Sequence, residues 1–288
     1  MPELPEVETI KLGLENKIVG LKVDDIEINV PKIFRGEKDE VLGSKIKKLR
    51  RRGKLLIIDL NNGQSLVIHL KLTGQLVYHR DPSRSSGHAA FGHPIPFAGS
   101  ILPAKTTHVI FTFFDGSKLF YNDMRKFGWI KVVKTGDVEK LKEIQEYGPE
   151  PFTKEFTSEK FTKILSRKKS PVKLVLMDQT QIAGVGNIYA NEALFLARVN
   201  PQRKSNELKE NEIKKLYESL LKVLKEGIKY GGSSENAYVN ALGEKGKMQD
   251  HFRVYARAGK PCPNKCGEVI KRISLGGRGT FYCAECQK

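Results

Sequence analysis

Short runs of β-branched and aromatic residues alternate with turn signals through the first half of the chain. Turn pairs such as Asn62-Gly63 and Asp115-Gly116 separate these runs, a pattern typical of β-hairpins. The pattern predicts an antiparallel β-sandwich between Leu21 and about Lys134. The clearest strands are expected at Leu55 to Leu60, Ser65 to Leu70, Val109 to Phe114 and Gly128 to Val133.

Apolar residues at helical spacing lie on both sides of this β-rich stretch. Val7, Ile10 and Leu14 predict a helix from Pro5 to about Lys17 that packs on the sandwich by one face. After Gly148-Pro149 the helical period dominates, which indicates a second domain and an α+β fold. One helix is expected at Ser158 to about Lys168, and a second begins after a Ser170 cap with Pro171 in its first turn. A third is expected from near Asn187. A fourth is expected over Ile213 to Ile228 and ends at Gly231-Gly232.

A length of 288 residues suits two domains better than one. We expect a β-sandwich domain at 1–135, a helical domain at 150–232, a polar connector at 233–257 and a cysteine module at 258–288. The stretch from Asp81 to Pro103 is rich in Ser, Gly, Ala and Pro, and it reads as a long loop.

The charge balance narrows the class of partner. Fifty Lys and Arg against 33 Asp and Glu give a formal net charge of +17, which suits a polyanion such as nucleic acid. No apolar run is long enough to span a bilayer, so no membrane partner is expected. The start MPELPEVETI does not resemble a secretory signal, and we therefore expect a reducing, cytoplasmic location.

The four cysteines form a metal-binding pattern at the end of the chain. Cys262 and Cys266 form a Cx3C pair, and Cys283 and Cys286 a CxxC pair, a spacing that suits one tetrahedral zinc ion. Four thiolates leave no open position, so the zinc is expected to be structural. Between the pairs, GGRGTFYC places Arg278 between glycines at a predicted hairpin tip, where it can reach a groove or a phosphate.

The motif AGVGNIYANEAL indicates an anion site. Gly184 and Gly186 precede the predicted helix at Asn187, and a helix N-terminus with free backbone N–H groups binds phosphate. An ordinary tight turn with an Asn cap explains the same letters.

The N-terminus offers a nucleophile. Removal of Met1 would leave Pro2 with a secondary amine, and a terminal amine has a pKa of about 8, against about 10.4 for lysine. Glu3 could protonate a sugar ring oxygen, although a helix N-terminus favours its charged form. A start of this kind also serves simply to begin a helix.

Two basic clusters are ambiguous. RRRGKLLI places Arg50 to Arg52 and Lys54 before a strand, where a solvated turn is the usual explanation. MRKFGW interleaves Arg125 and Lys126 with Phe127 and Trp129, which either wedge between bases or pack on the sheet.

Together, MPELPEVET, GVGNIYANE and the four-cysteine module with GRGTFYC resemble the formamidopyrimidine-DNA glycosylase family from end to end. The resemblance implies a β-sandwich with an N-terminal helix, a helix–two-turn–helix domain, a β-hairpin zinc finger, and DNA bound between the halves. It also implies a bifunctional enzyme of base excision repair. Such an enzyme removes 8-oxoguanine and formamidopyrimidines from duplex DNA and nicks the abasic site by β,δ-elimination.

The same resemblance assigns roles to residues of this chain. Pro2 becomes the Schiff-base nucleophile, Glu3 the proton donor for base release and Lys54 the residue for β-elimination. Arg278 matches the arginine for δ-elimination and phosphate contact, and Glu6 would support the site at helical spacing from Glu3.

Further residues correspond to the family's DNA contacts. Lys168, Lys173 and Asn187 match phosphate-gripping positions, while Leu72, Arg125 and Phe127 would fill the gap left by an extruded base.

This chain also departs from the family pattern. Leu72 replaces a methionine, NDMRKFG replaces DPRRFG, and KTTHV has only His108 of two histidines, so that a phosphate contact falls to Thr106. The segment from Ser233 to Gln249, which closes over the base in the family, varies with substrate, so the exact lesion stays open.

Two alternatives remain. An endonuclease VIII type enzyme would remove oxidised pyrimidines, although MPELPE favours the purine branch. A non-catalytic DNA-binding homologue would predict a damaged catalytic set, yet Pro2, Glu3, Lys54 and Arg278 are all present. We expect a monomer associated with the nucleoid through DNA.

Overall fold

The computed structural model describes residues 1–80, 102–234, 240–241, 243 and 245–288. They form two compact units, Met1–Gln145 with Ile228–Gln249, and Glu146–Gly227 with Asp250–Lys288. The loop predicted from Asp81 to Pro103 lies outside the described residues except for its last two. No helix in the described part of the chain is long and apolar enough to cross a membrane.

Unit one is built on two sheets. The first has the order β1-β7-β8-β6, and the second has the order β2-β9-β5-β4-β3. Their strands are β1 (Val23–Ile28), β2 (Phe34–Arg35), β3 (Ile46–Arg52), β4 (Leu55–Leu60), β5 (Gln64–His69), β6 (Gly74–His79), β7 (Thr107–Phe113), β8 (Lys118–Asp123) and β9 (Trp129–Lys134).

The structure confirms the sandwich and the four strands expected from the sequence, with ends that move by no more than two residues. Gly63 and Gly116 both have φ of +83°, a conformation that suits glycine in the predicted hairpin turns. One short pairing in the second sheet is parallel. The short strand β2 pairs with β9 in parallel, with Phe34 opposite Ile130.

The helix α1 (Leu4–Ile18) begins one residue before the predicted start. Val7, Ile10 and Leu14 are fully buried and join residues of both sheets in one core. Glu3 is the N-cap, and a capping box with Glu6 satisfies N–H groups that the first turn leaves open. The short helix α2 (Lys142–Gln145) ends this part of the unit.

Unit two is mainly helical and ends in a hairpin. Its elements are α3 (Ser158–Ser166), α4 (Val172–Met177), α5 (Asn187–Ala197), α6 (Glu210–Lys229, whose last two residues belong to unit one), β10 (Lys271–Leu275) and β11 (Arg278–Tyr282).

The predicted Ser170 cap is wrong. Pro171 occupies the N-cap of α4, and its carbonyl accepts the N–H groups of Leu174 and Val175. The Ser170 carbonyl instead accepts the N–H of Ser205. Ser170 therefore connects the chain before α4 to the chain that follows α5.

A buried carboxylate on α5 holds the chain that leads to the hairpin. Glu192 accepts N–H groups of Arg253, Val254 and Tyr255, each at 2.9 Å, and faces the Arg253 guanidinium. Burial raises the pKa of Glu192, although these donors oppose the shift. The bonds fix the residues that precede the cysteine module.

The packing of α1 can be tested by replacing Leu14, which is buried, and Leu12, which is 46% exposed on the same helix. Leu14→Ala should lower the free energy of unfolding of unit one by about 2–5 kcal/mol because it leaves a cavity. Leu12→Ala should change it by less than about 0.5 kcal/mol. Fluorescence of Trp129, the single tryptophan, reports unfolding in urea. Equal losses in the two variants would contradict this packing.

Candidate active site and metal centre

The first turn of α1 holds the predicted nucleophile and acid in a fixed arrangement. Pro2 is buried, and Glu3 and Glu6 are 3% and 1% exposed. In the capping box the Glu3 side chain accepts the N–H of Glu6, while Glu6 Oε2 accepts the N–H of Glu3 at 2.8 Å. The other Glu6 oxygen accepts the N–H of Ser233 at 2.9 Å. The Glu6 side chain therefore holds the terminus by its bond to the main-chain N–H of Glu3.

Lys54 belongs to the same unit and is almost fully buried between β3 and β4. Gly53, with φ of +56°, forms the turn before it. Arg51 donates to the Gly53 carbonyl at 3.0 Å and to the Glu8 carboxylate at 2.7 Å. One guanidinium therefore links α1 to the turn that carries Lys54.

The charge on Glu8 strengthens this link. Burial acts to raise the pKa of Glu8, but the hydrogen bonds and charges of Arg51 and Lys11 outweigh it and leave the pKa below its ordinary value.

His69 is a candidate site residue that sequence reasoning missed. It is the last residue of β5, lies opposite Leu55, and accepts the N–H of Lys71 through Nδ1 at 3.0 Å. Burial, followed by the positive charges of Lys71 and Lys54, lowers the pKa of His69 to about 3. The imidazole near Lys54 is therefore neutral at physiological pH. The sequence signal for this residue was a histidine two positions before Lys71 in HLKLTG.

Asp123 is a second missed residue, and it joins the turns that carry the predicted gap-filling side chains. Its buried carboxylate accepts the Thr73 hydroxyl, the Arg125 N–H at 3.1 Å and the Gly128 N–H at 2.7 Å. The turn after β5 carries Leu72, and the turn after β8 carries Arg125 and Phe127. One carboxylate therefore fixes both turns.

The gap-filling candidates differ in exposure. Phe127 is 53% exposed, and the Arg125 guanidinium carbon lies 4.9 Å from the centre of its ring. Leu72 is half-buried and follows Lys71, which has φ of +50°. An exposed aromatic ring with a cation over its face suits contact with bases.

Thr106 and His108, the two predicted DNA contacts near β7, differ in their exposure. Thr106 is half-buried, and its carbonyl accepts the Asp123 N–H at 2.9 Å. The position of His108 does not favour its predicted contact with DNA. His108 is 2% exposed, and its Nε2 lies 2.7 Å from the Asp123 carbonyl, so this ring packs inside unit one.

Asn187 and Lys168 lie in unit two, and both are half-buried. Asn187 is the first residue of α5 and directly follows its N-cap, Gly186. Lys168 lies just after α3. The N–H of Gly184 is not available to an anion, because Gln179 Oε1 accepts it at 2.9 Å. Gly184, with φ of +90°, shapes the turn instead.

The position of Lys173 does not favour its predicted contact with a phosphate either. Lys173 is fully buried on α4, and its ammonium donates to the Gly279 carbonyl at 3.0 Å and to Thr280 Oγ1 at 2.6 Å. Lys173 therefore holds β11 of the hairpin to α4 and is not exposed at the surface.

Arg278 lies at the hairpin tip, where the sequence placed it. Gly276 and Gly277, with φ of +57° and +71°, form the two-residue turn, and Arg278 is exposed directly after it. Asn191 Oδ1 accepts the Phe281 N–H at 2.8 Å and fixes β11 against α5.

The four cysteines fit a zinc ion. All their sulfur atoms lie within 4.8 Å of one another, with 3.8 Å between Cys262 and Cys286 and 3.5 Å between Cys266 and Cys283. Zn–S bonds of about 2.3 Å in a tetrahedron require S–S distances of about 3.8 Å. The side chains are therefore already arranged as a closed site.

Loss of the metal should unfold the hairpin module. We expect about one zinc per chain, and Cys266→Ser should lose it and lower the thermal stability of unit two, because ligand binding and folding are coupled here. Metal analysis and circular dichroism measure this, and Ser274→Ala, an exposed change on β10, is the control. Full zinc content in Cys266→Ser would refute the assignment.

His69 should make the stability of unit one pH-dependent. Between about pH 6.5 and 3 the unfolded chain binds a proton that folded His69 does not bind. The free energy of unfolding should therefore fall with decreasing pH, by up to about 1.4 kcal/mol per pH unit from this group. In His69→Asn, where Oδ1 replaces the Nδ1 acceptor, that contribution should disappear. Urea unfolding at several pH values tests it, with His251→Asn, an exposed histidine, as control. An unchanged slope in His69→Asn would exclude this role.

Three family models match the chain in order. They describe the formamidopyrimidine-DNA glycosylase N-terminal domain at residues 1–130, the formamidopyrimidine-DNA glycosylase H2TH domain at 147–238, and a zinc finger found in FPG and IleRS at 259–288. The last match agrees with one structural zinc on the four cysteines.

Relatives match over the full length. The formamidopyrimidine-DNA glycosylase of Pelotomaculum thermopropionicum is 42% identical over 293 residues, covering 100% of this chain and 99% of the relative. A crystal structure of a Lactococcus lactis FPG mutant with Fapy-dG containing DNA is 35% identical with a TM-score of 0.86, covering 100% of both chains. The wild-type Lactococcus lactis protein with oxidised-pyrimidine containing DNA is 34% identical with a TM-score of 0.85, also over 100% of both chains. The chain belongs to the formamidopyrimidine-DNA glycosylase family.

Proposed function

We propose that this DNA glycosylase of base excision repair removes oxidised purines, including 8-oxoguanine and formamidopyrimidines, from duplex DNA through an imine at Pro2. The nick that follows is a β,δ-elimination at the abasic site. The observation that carries the proposal is the buried terminus, where Glu6 holds the main chain of Glu3 and the Glu3 carboxylate closes the capping box. A fixed nucleophile and acid meet the geometric demand of such a reaction.

Pro2 acts as the nucleophile once Met1 is removed. Its secondary amine attacks the sugar C1′, and the nitrogen lone pair forms the new bond as the bond to the base breaks. The nitrogen then gives up its one proton, its lone pair opens the C1′–O4′ bond of the sugar while O4′ takes up a proton, and the product is an iminium. A secondary amine forms this iminium without losing a second proton from nitrogen. Glu3 donates the proton that assists base release, because its side chain lies one residue from the amine.

Lys54 serves the β-elimination step, and Arg278 serves δ-elimination and binds a phosphate near the lesion. Arg51 supports the Lys54 position, because it bonds both Glu8 and the Gly53 carbonyl. The neutral imidazole of His69 adds no positive charge beside the lysine. The hairpin turn and the zinc site hold Arg278 at an exposed tip.

The duplex is held through its phosphates and by side chains that replace the extruded base. A formal charge of +17 provides the general attraction, and Lys168, Asn187 and Thr106 make individual phosphate contacts. Leu72, Arg125 and Phe127 occupy the gap in the base stack, and Asp123 holds their two turns together. The enzyme acts as a monomer.

A second candidate activity is removal of oxidised pyrimidines. The structural neighbour with oxidised-pyrimidine containing DNA favours this candidate, since it is 34% identical to this chain. The two activities share the terminus and differ in the base that is held.

Borohydride trapping tests the proposal. With zinc-loaded protein and an 8-oxoguanine duplex, the wild type should give a covalent adduct, and Pro2→Gly should reduce it by about tenfold or more because the secondary amine is lost. Pro5→Ala changes the next proline of the chain, keeps the terminal amine, and is the matched control.

Each other outcome has a defined meaning. An adduct only with an oxidised-pyrimidine duplex would replace the purine proposal by the second candidate. Binding of both duplexes without an adduct from protein that lacks Met1 would contradict imine chemistry and leave a non-catalytic DNA-binding protein.

A further inference from the structure

The segment Ile228–Gln249 returns to unit one and meets α1 at two points. Ser233 bonds Glu6 in the first turn, and Ala241 lies against Gly13. Glu6 and Gly13 are seven residues apart, which is about two helical turns, or about 10 Å along one face of the helix. Both contacts therefore lie along the face of α1 that leads to the candidate nucleophile.

The first contact joins the segment to the terminus through one side chain. Glu6 Oε1 accepts the Ser233 N–H at 2.9 Å, and Glu6 Oε2 accepts the Glu3 N–H at 2.8 Å. Ser234 continues the arrangement, since its N–H donates to Gln249 Oε1 and its hydroxyl accepts the Gly246 N–H, both at 2.9 Å. A shift of Ser233 therefore reaches Glu3 through a buried carboxylate.

The second contact leaves no room for a side chain at position 13. A Cβ on Gly13 would lie 2.9 Å from the Ala241 Cβ, closer than carbon atoms pack. Ala241 is fully buried, and its carbonyl accepts the Tyr78 N–H at 2.9 Å on the edge strand β6. Ala241 is therefore held from the side of the sheet as well as by α1.

We propose that Gly13 is a positioning residue for base release, because it seats Ala241 and thereby keeps Ser233, Glu6 and Glu3 in their mutual arrangement. The inference rests on the proposed function and adds a residue outside the proposed catalytic and DNA-binding set. A methyl group at position 13 meets the Ala241 Cβ, and Ala241 belongs to the same segment as Ser233, whose N–H the shared carboxylate of Glu6 accepts.

Gly13→Ala tests this role, because helix propensity alone predicts the opposite effect of the change. In a helix interior alanine is intrinsically favoured over glycine, so a position without a special contact should become more stable and keep its activity. We expect instead that kcat for 8-oxoguanine excision falls by about tenfold to a hundredfold, as for a misplaced catalytic group. KM for the duplex should stay unchanged, because the phosphate contacts are untouched.

A second substrate distinguishes an effect on base release, which needs the Glu3 acid, from an effect on the Pro2 amine. Borohydride trapping on a duplex with a preformed abasic site needs the Pro2 amine but no base release, so Gly13→Ala should retain most of it. A merely structural role would instead reduce excision and trapping together.

Two further variants keep the test decisive. Ala241→Gly in the Gly13→Ala background removes the opposing methyl group and should restore kcat, because the two changes act on one contact. Ala241→Val crowds the same contact from the other side and should reproduce the loss. Gly136→Ala is the matched control, since a Cβ there meets nothing within 4 Å.

The outcomes distinguish this inference from the function on which it rests. An inactive wild type would overturn the proposed function. An active wild type with unchanged kcat in Gly13→Ala, or a folded Gly13→Ala protein that the Ala241→Gly change does not rescue, would overturn the role of Gly13 alone.

Discussion

Buried carboxylates that accept backbone N–H groups are the interaction on which the candidate site depends. Glu6 holds the N-terminus and Ser233, Asp123 holds the turns around Leu72 and Arg125, and Glu192 holds the chain before the cysteine module. Burying a charge is costly unless it is well bonded, and each of these groups has at least two N–H donors. The irregular segments that carry function are thereby fixed at places that sheets and helices leave open.

This arrangement gives the N-terminus the fixed position that the proposed chemistry requires. A terminal residue is ordinarily mobile, yet Pro2 is buried and the next residue caps a helix whose apolar face is anchored in the core. The core of unit one thus fixes the position of the proposed nucleophile. The zinc site performs the same task for Arg278, which follows a two-glycine turn on a hairpin held by Lys173 and Asn191.

Local patterns predicted the elements well, because alternation, helical spacing and turn residues act within a few positions. The sandwich strands, α1, the cysteine cluster and the tip position of Arg278 follow from such patterns. Local patterns say less where a distant partner decides the surroundings of a side chain. Lys173 is bonded to residues more than a hundred positions away, and His108 to a carbonyl of the next strand. Asp123 and His69 were missed for the same reason, since their importance lies in the turns and charges that the fold brings to them.

The central claim is that the terminal amine of Pro2 is the group that bonds the sugar. Mass spectrometry of the tryptic digest of the borohydride-trapped wild-type complex tests it directly. The account predicts a deoxyribose adduct on the peptide that begins with Pro2 and ends at Lys11, with Met1 absent. An adduct on the peptide that contains Lys54, with the terminal peptide unmodified, would contradict the account.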